Sequence, residues 1–199
     1  REGAPVLALL GAGVQARSHL RALAGVRPWR TVRVYAPSRA HVETLRELAP
    51  APLVAARSAQ EAVHDADVVV TVTSSHTPVL EHAWLKAGAH VNAVGASQPS
   101  ARELETATVA AAALFCDSRE SLVHEAGEFA LAVREGRIAG ETHIRAELGE
   151  VVAGLRPGRR DARELTLFRS LGIGVEDLAA ARTAVAAARE RGIGIEVAL

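Results

Sequence analysis

The sequence has no methionine, a single cysteine, a single lysine, and aromatic side chains at only 3 % of its 199 residues. Each scarcity excludes something. With Cys116 alone there is no disulfide framework, and a reducing, cytoplasmic setting is the default. Lys+Arg and Asp+Glu balance at 23 each, giving zero formal net charge. Balanced charge and few stacking residues argue against nucleic acid as the main ligand. No apolar run approaches the roughly 20 residues that a membrane-spanning helix needs, and no secretory leader pattern is present. The eight histidines show no metal-ligand spacing: His124-Glu125 lacks a second histidine four residues after the first. Ser74 and Ser75 lack a nucleophile elbow, so acyl transfer is not expected. Without an initiator methionine, and with a strand pattern starting almost at once, the chain reads as part of a longer protein.

What is present is organised around Val6 to Ala16. The apolar run Val6–Leu10 predicts a buried strand. It feeds into Gly11-Ala12-Gly13 and then a helical pattern over 13–25. This strand–glycine turn–helix order is the one that cradles a dinucleotide pyrophosphate. Gly11 suits the tight turn, Gly13 leaves room at the backbone, and Ala16 lets the helix pack close. The helix N-terminus favours the phosphate charge. The same glycine turn is also compatible with an α/β sheet that binds nothing there.

Strands are predicted at 5–10, 31–35, 53–55, 67–73, 90–94 and 113–117. Helices are predicted at 13–25, 39–48, 59–65, 101–112 and around 119–135. That alternation predicts a Rossmann-like, doubly wound α/β fold with a parallel sheet of about six strands. The ligand edge then collects 11–15, 36–39, 73–76 and 94–97, at the carboxyl ends of the strands. After about residue 140 the pattern changes. A short helix is expected within 146–154, a strand or irregular segment at 165–168, and an Ala-rich helical extension over 175–191. Cys116 reads as a small core residue, His76 as an exposed loop residue, and Asp177 as a carboxylate favoured near a helix start.

Several blocks together resemble the ornithine cyclodeaminase/mu-crystallin family. They are Gly11–Ala16, Asp67–Thr73, Gly88–Ser97, Asp117–Glu120, Ala146–Val151 and Phe168–Gly172 with Val175-Glu176-Asp177. The resemblance implies two parts. Residues 1–155 would form the dinucleotide-binding Rossmann domain. Residues 156–199 would be a C-terminal segment of the dimerisation and substrate domain, whose N-terminal portion lies outside this chain. It also implies a homodimer in the full-length protein, and a fragment that is inactive by itself.

By the same resemblance, Ala12, Val14 and Gln15 belong to the pyrophosphate loop beside Gly11 and Gly13. Ser38, followed by Arg39, stands near a 2′-phosphate. Thr73 and Ser74 line the cofactor path, Val94 lies beside the nicotinamide, and Ser170 is a further cofactor contact. Glu125 matches a substrate-side position, although an ordinary exposed helix glutamate reads as well there. Ser97 stands where ornithine cyclodeaminases carry a catalytic aspartate, and a serine is no unaided base near neutral pH. The expected activity is therefore NAD(P)H-dependent reduction or oxidation at C=N/C–N bonds of small imines or amino acids, with Ser97 the candidate catalytic residue. A cyclodeaminase-type ammonia lyase using NAD transiently, and a non-catalytic NADPH-binding protein of mu-crystallin type, are the alternatives. No Asp or Glu closes the second strand, where an NAD enzyme places a carboxylate on the ribose. NADP(H) is accordingly favoured over NAD(H), although Ala36-Pro37 replaces the Asn-Arg of NADPH-binding members. No metal is expected.

Overall fold

The computed structural model describes residues 6–96, 98–195 and 197. Eight parallel strands make one sheet: β1 (Val6–Leu10), β2 (Thr31–Tyr35), β3 (Leu53–Ala55), β4 (Val68–Thr71), β5 (His90–Ala93), β6 (Ala113–Cys116), β7 (Ile144–Glu147) and β8 (Thr166–Arg169). Their order across the sheet is β3-β2-β1-β4-β5-β8-β6-β7. The helices are α1 (Val14–Ala24), α2 (Arg39–Glu43), α3 (Ala59–Val63), α4 (Thr106–Ala111), α5 (Arg119–Glu125), α6 (Gly127–Arg134), α7 (Leu148–Val152) and α8 (Gly174–Arg191).

β1 is buried on both faces, as a central parallel strand requires. Val6, Ala8 and Leu10 point into a core shared with Ala62 and Val63 of α3, Val109 of α4, Leu122 of α5 and Phe129 of α6. Leu7 and Leu9 point the other way, onto Ala16 and Leu20 of α1 and Val42 of α2. The period of two in the strand thus feeds two cores, one on each side of the sheet. The reversal of strand order falls between β1 and β4, which places the ligand crevice there.

The predicted alternation holds, with differences at residues 39–48 and toward its far end. Residues 39–48 form the five-residue α2 and a separate 3-10 turn, Arg46–Leu48, instead of one helix. Residues 144–147 form edge strand β7, and α7 occupies only Leu148–Val152 of the expected helix. The segment at 165–168 is a true strand, and it lies in the sheet interior between β5 and β6. Among the described residues the strand count is therefore eight, where about six are expected. The expected boundary at 155/156 leaves β8 in the C-terminal segment, yet its pairing is with strands of the first.

On the α1 side, Val151 of α7 packs near Ala113, Phe115 and Ala146. Between α1 and α7 an open groove of about 510 Å³ remains, with His90, Asn92, Thr166 and Phe168 among its lining. Helix α8 buries none of its residues and exposes Val175, Leu178 and Val185. Among the described residues no helix is long and apolar enough to cross a membrane.

Candidate active site at the carboxyl edge of the sheet

A cavity of about 1370 Å³ opens beyond the carboxyl ends of β1, β2, β4, β5 and β8. Every cofactor residue expected from the sequence lines it except Arg39: Gly11, Ala12, Gly13, Val14, Gln15, Ser38, Thr73, Ser74, Val94 and Ser170.

The first wall is the turn after β1. Gly11 has φ +112°, and a Cβ there would stand 2.6 Å from the Val72 carbonyl oxygen. Both the dihedral and the approach of β4 therefore demand glycine. Its N–H donates to Tyr35 O at 2.9 Å, tying the turn to the end of β2. Gly13 is different. A Cβ added there would meet nothing within 4 Å, so the fold itself does not require glycine at this point. Gly13 is also the N-cap of α1, with no side-chain cap and no acidic residue in the first turn. The shorter α2, α3 and α5 are each capped by a serine: Ser38, Ser58 and Ser118. The 11-residue α1 alone among these four leaves its first N–H groups without a side-chain acceptor, and it opens into the cavity. Room at Gly13 together with uncapped donors fits a pyrophosphate.

The second wall joins the ends of β4 and β5. Glu103 is fully buried. Its carboxylate accepts from Thr71 Oγ1 at 2.8 Å, Thr73 N at 2.6 Å and Gly95 N at 2.8 Å. Three donors compensate the buried charge, and the loops carrying Thr73, Ser74 and Val94 are held in fixed relation. Gly95 makes the approach possible, since a Cβ would come within 2.1 Å of Thr73 O.

The third wall comes from the chain return. Asp117, at the end of β6, accepts from Leu171 N and Gly172 N at 2.6 Å each, with Ser170 Oγ at 3.5 Å from the same oxygen. Arg169, only 1 % exposed, donates from Nη1 to Ala93 O at 3.0 Å and to Ser170 O, which ties the ends of β5 and β8 together. Its Nε lies 3.6 Å from Glu128 Oε1. Burial raises the Glu128 carboxyl above its ordinary range, against the pull of Arg169.

Sequence reasoning assigns no role to Glu103 or Asp117. Asp117 closes a strand at the ligand edge, a usable signal. Glu103 belongs to no motif.

Ser38 caps α2 by accepting from His41 N at 3.4 Å, and it lines the cavity. Arg39 is exposed and does not line it. His19 and His41, not expected from the sequence, do line the cavity. Glu125 sits at the exposed end of α5, away from the lining. Ser97 lies outside the described residues. His76 is exposed in the β4 loop. Cys116 is buried, and burial pushes its thiol up to about 12, with Glu147 adding to the rise. Among the described residues no group of three or more His, Cys, Asp or Glu could hold a metal ion.

A family profile described as the ornithine cyclodeaminase/mu-crystallin family matches residues 1–192. The chain is 41 % identical over 180 residues to a ketimine reductase mu-crystallin of Mus musculus, covering 90 % of this chain and 54 % of that protein. It is 34 % identical over 199 residues to a Delta(1)-pyrroline-2-carboxylate reductase of Bacillus cereus, covering 98 % and 61 %. A solved Delta(1)-pyrroline-2-carboxylate reductase of Thermococcus litoralis, in complex with NADH and L-proline, superposes with TM-score 0.92 at 36 % identity, covering 99 % of this chain and 62 % of that one. The chain thus spans between about half and three fifths of the length of these relatives. Sequence, sheet order and cavity agree: the chain belongs to the ornithine cyclodeaminase/mu-crystallin family.

Proposed function

We propose that this chain is the NAD(P)(H)-binding part of an oxidoreductase acting on C=N/C–N bonds of small imines or amino acids. The observation that carries the reading is the pairing of an uncapped α1 N-terminus with open space at Gly13, on the wall of a cavity of about 1370 Å³. Reductases of ketimines and of pyrroline-2-carboxylate among the relatives support the reaction class. The bound nicotinamide would supply a hydride from C4 to the imine carbon, leaving NAD(P)+ while the nitrogen takes a proton.

The chain's own residues bind and orient. Gly11 to Gln15 hold the pyrophosphate. Thr73, Ser74, Val94 and Ser170 line the path toward the nicotinamide, and Glu103, Asp117 and Arg169 set their positions. By the family resemblance Ser97 is assigned to the substrate side, where it would orient a water or the substrate carboxylate. NADP(H) is the preferred form, because among the described residues no carboxylate lines the cavity at the end of β2. Residues 156–199 are assigned to the dimerisation and substrate unit of a cytoplasmic homodimer. The apolar side chains that α8 leaves uncovered support that assignment.

The test uses the complete protein with a panel of cyclic imines, 2-oxo acids with amines, and ornithine. Imine-dependent loss of NAD(P)H absorbance is expected. Ammonia release from ornithine without net absorbance change would replace the reading with a cyclodeaminase. Tight NADPH binding without turnover would replace it with a binding protein. Unchanged turnover in Ser97→Ala would remove Ser97 from the site.

A further inference from the structure

Where β2 ends, a dinucleotide-binding fold meets the 2′ position of the adenosine ribose, and a carboxylate or a cation there decides between hydroxyl and phosphate. In this chain Tyr35, Ala36, Pro37 and Ser38 form that end of the cavity, and none carries a fixed charge at neutral pH. The side chains lining the same cavity that can become cationic are His19 of α1 and His41 of α2; among the described residues no Lys or Arg lines it. Their placement is fixed. Arg17 of α1 donates to Thr44 Oγ1 at 2.8 Å, and Thr44 Oγ1 donates to His41 O at 2.8 Å, so α1 and α2 are bridged beside the cavity. His19 Nδ1 lies 2.8 Å from Gln15 O. A carbonyl only accepts, so Nδ1 carries hydrogen, and the second proton of an imidazolium would go to Nε2.

We propose that His19 and His41 are the residues that discriminate the 2′-phosphate of NADP(H) from the 2′-hydroxyl of NAD(H), and that they do so in their protonated form. This rests on the dinucleotide reading above and on its preference for NADP(H). Arg39, the expected phosphate partner, does not line the cavity. Histidine changes charge between about pH 5 and 8, so the discrimination depends on pH. Protonation strengthens binding of the phosphate form, and that advantage disappears as pH rises. The other ionisable side chains on the elements packed around this end are Arg17 and Arg21 on α1, Arg33 and Tyr35 on β2, Arg39 and Glu43 on α2, and Arg46 and Glu47 beyond it. Arginine, carboxylate and tyrosine side chains ordinarily hold their charge between about pH 6.5 and 9. A phosphate monoester is mostly dianionic above its second pKa of about 6.

The experiment titrates the chain with NADPH and with NADH between about pH 6.5 and 9, for wild type, His19→Gln, His41→Gln and the double variant, with circular dichroism as the fold control. Removing one charge-assisted hydrogen bond to a solvated phosphate lowers affinity roughly tenfold. Wild-type NADPH affinity should therefore fall by about tenfold for each histidine that loses its proton across the range, up to about a hundredfold, with NADH affinity flat. The double variant should bind NADPH weakly and without pH dependence, and NADH as the wild type does. If NADPH stays preferred and neither pH nor the variants change the ratio, the histidine assignment is overturned while the NADP(H) preference stands. If wild type prefers NADH throughout, the preference fails, and the assignment with it. Adenosine 2′-phosphate, displacing NADH more effectively at low than at high pH, is the second readout; equal displacement of NADH at all pH also overturns the assignment.

Discussion

The carboxylate of Glu103 is fitted to the backbone of Gly95: Oε2 accepts the Gly95 N–H at 2.8 Å, and a Cβ on residue 95 would stand 2.6 Å from Oε1. The same side chain holds Thr73 N and Thr71 Oγ1. One buried acid therefore sets the relation between the two loops that carry Thr73 and Val94 on the cavity wall. Replacing Glu103 by Gln keeps the size but turns an amide NH2 toward backbone donors. A stability loss of about 2 kcal/mol is expected in urea melts, with weaker NAD(P)H binding. Gly95→Ala should cost about 3 kcal/mol, because the clash is with backbone and cannot be relieved by a rotamer.

Gly11→Ala combines a left-handed φ with an overlap against Val72 O. A loss of about 2–3 kcal/mol is expected, visible as a lower denaturation midpoint without any ligand.

Asp117→Asn removes the charge that gathers the N–H groups of Leu171 and Gly172. The turn after β8 should loosen, at a cost of about 2 kcal/mol. Hydrogen exchange at those two amides should rise well above that at the amides of β8.

His90 makes stability depend on pH. Its Nδ1 is 2.8 Å from Thr166 Oγ1 and its Nε2 is 3.1 Å from Asn92 Oδ1. Arg159 Nη2 also donates to Thr166 Oγ1, at 2.7 Å. The pattern suits a neutral ring, donating from Nε2 and accepting at Nδ1. Burial lowers its pKa to about 4, with Arg159 assisting. In the unfolded chain histidine takes its proton near pH 6.5, so between about 6.5 and 4 the unfolded state binds more protons and stability falls as pH falls. The loss approaches about 3 kcal/mol at the lower end. His90→Gln should flatten that part of the stability–pH curve.

Much of the fold is legible in the sequence where signals are local. Val6–Leu10, the glycine turn and the helix after it declare themselves by apolar period and by glycine placement. β7 is hidden because it is four residues long and alternates apolar with charged, Ile144-Arg145-Ala146-Glu147, with Arg145 paired to Glu164 at 2.7 Å. Charged edge strands carry little hydrophobic signal. The place of β8 is not readable because pairing with β5 and β6 is a non-local fact. Arg39 departs from its expected place for a helical reason. Ser38 caps α2, and residues three apart share a helix face, so it is His41, not Arg39, that joins Ser38 on the cavity wall. Glu103 gives no warning in the sequence, since its importance lies in three donors that only the folded chain brings together.

The most direct measurement is a calorimetric titration of this 199-residue chain with NADPH and NADH, beside Gly13→Val. A side chain at residue 13 meets no protein atom within 4 Å at its Cβ, so the variant should lose only the N-cap difference between glycine and valine, about 1 kcal/mol, and melt within about 4 °C of wild type. The account predicts saturable dinucleotide binding by wild type and its loss, by about tenfold or more, in the variant, as expected for an obstructed phosphate site. A folded wild-type chain that binds neither dinucleotide, or a Gly13→Val variant that binds as well as wild type, would contradict it.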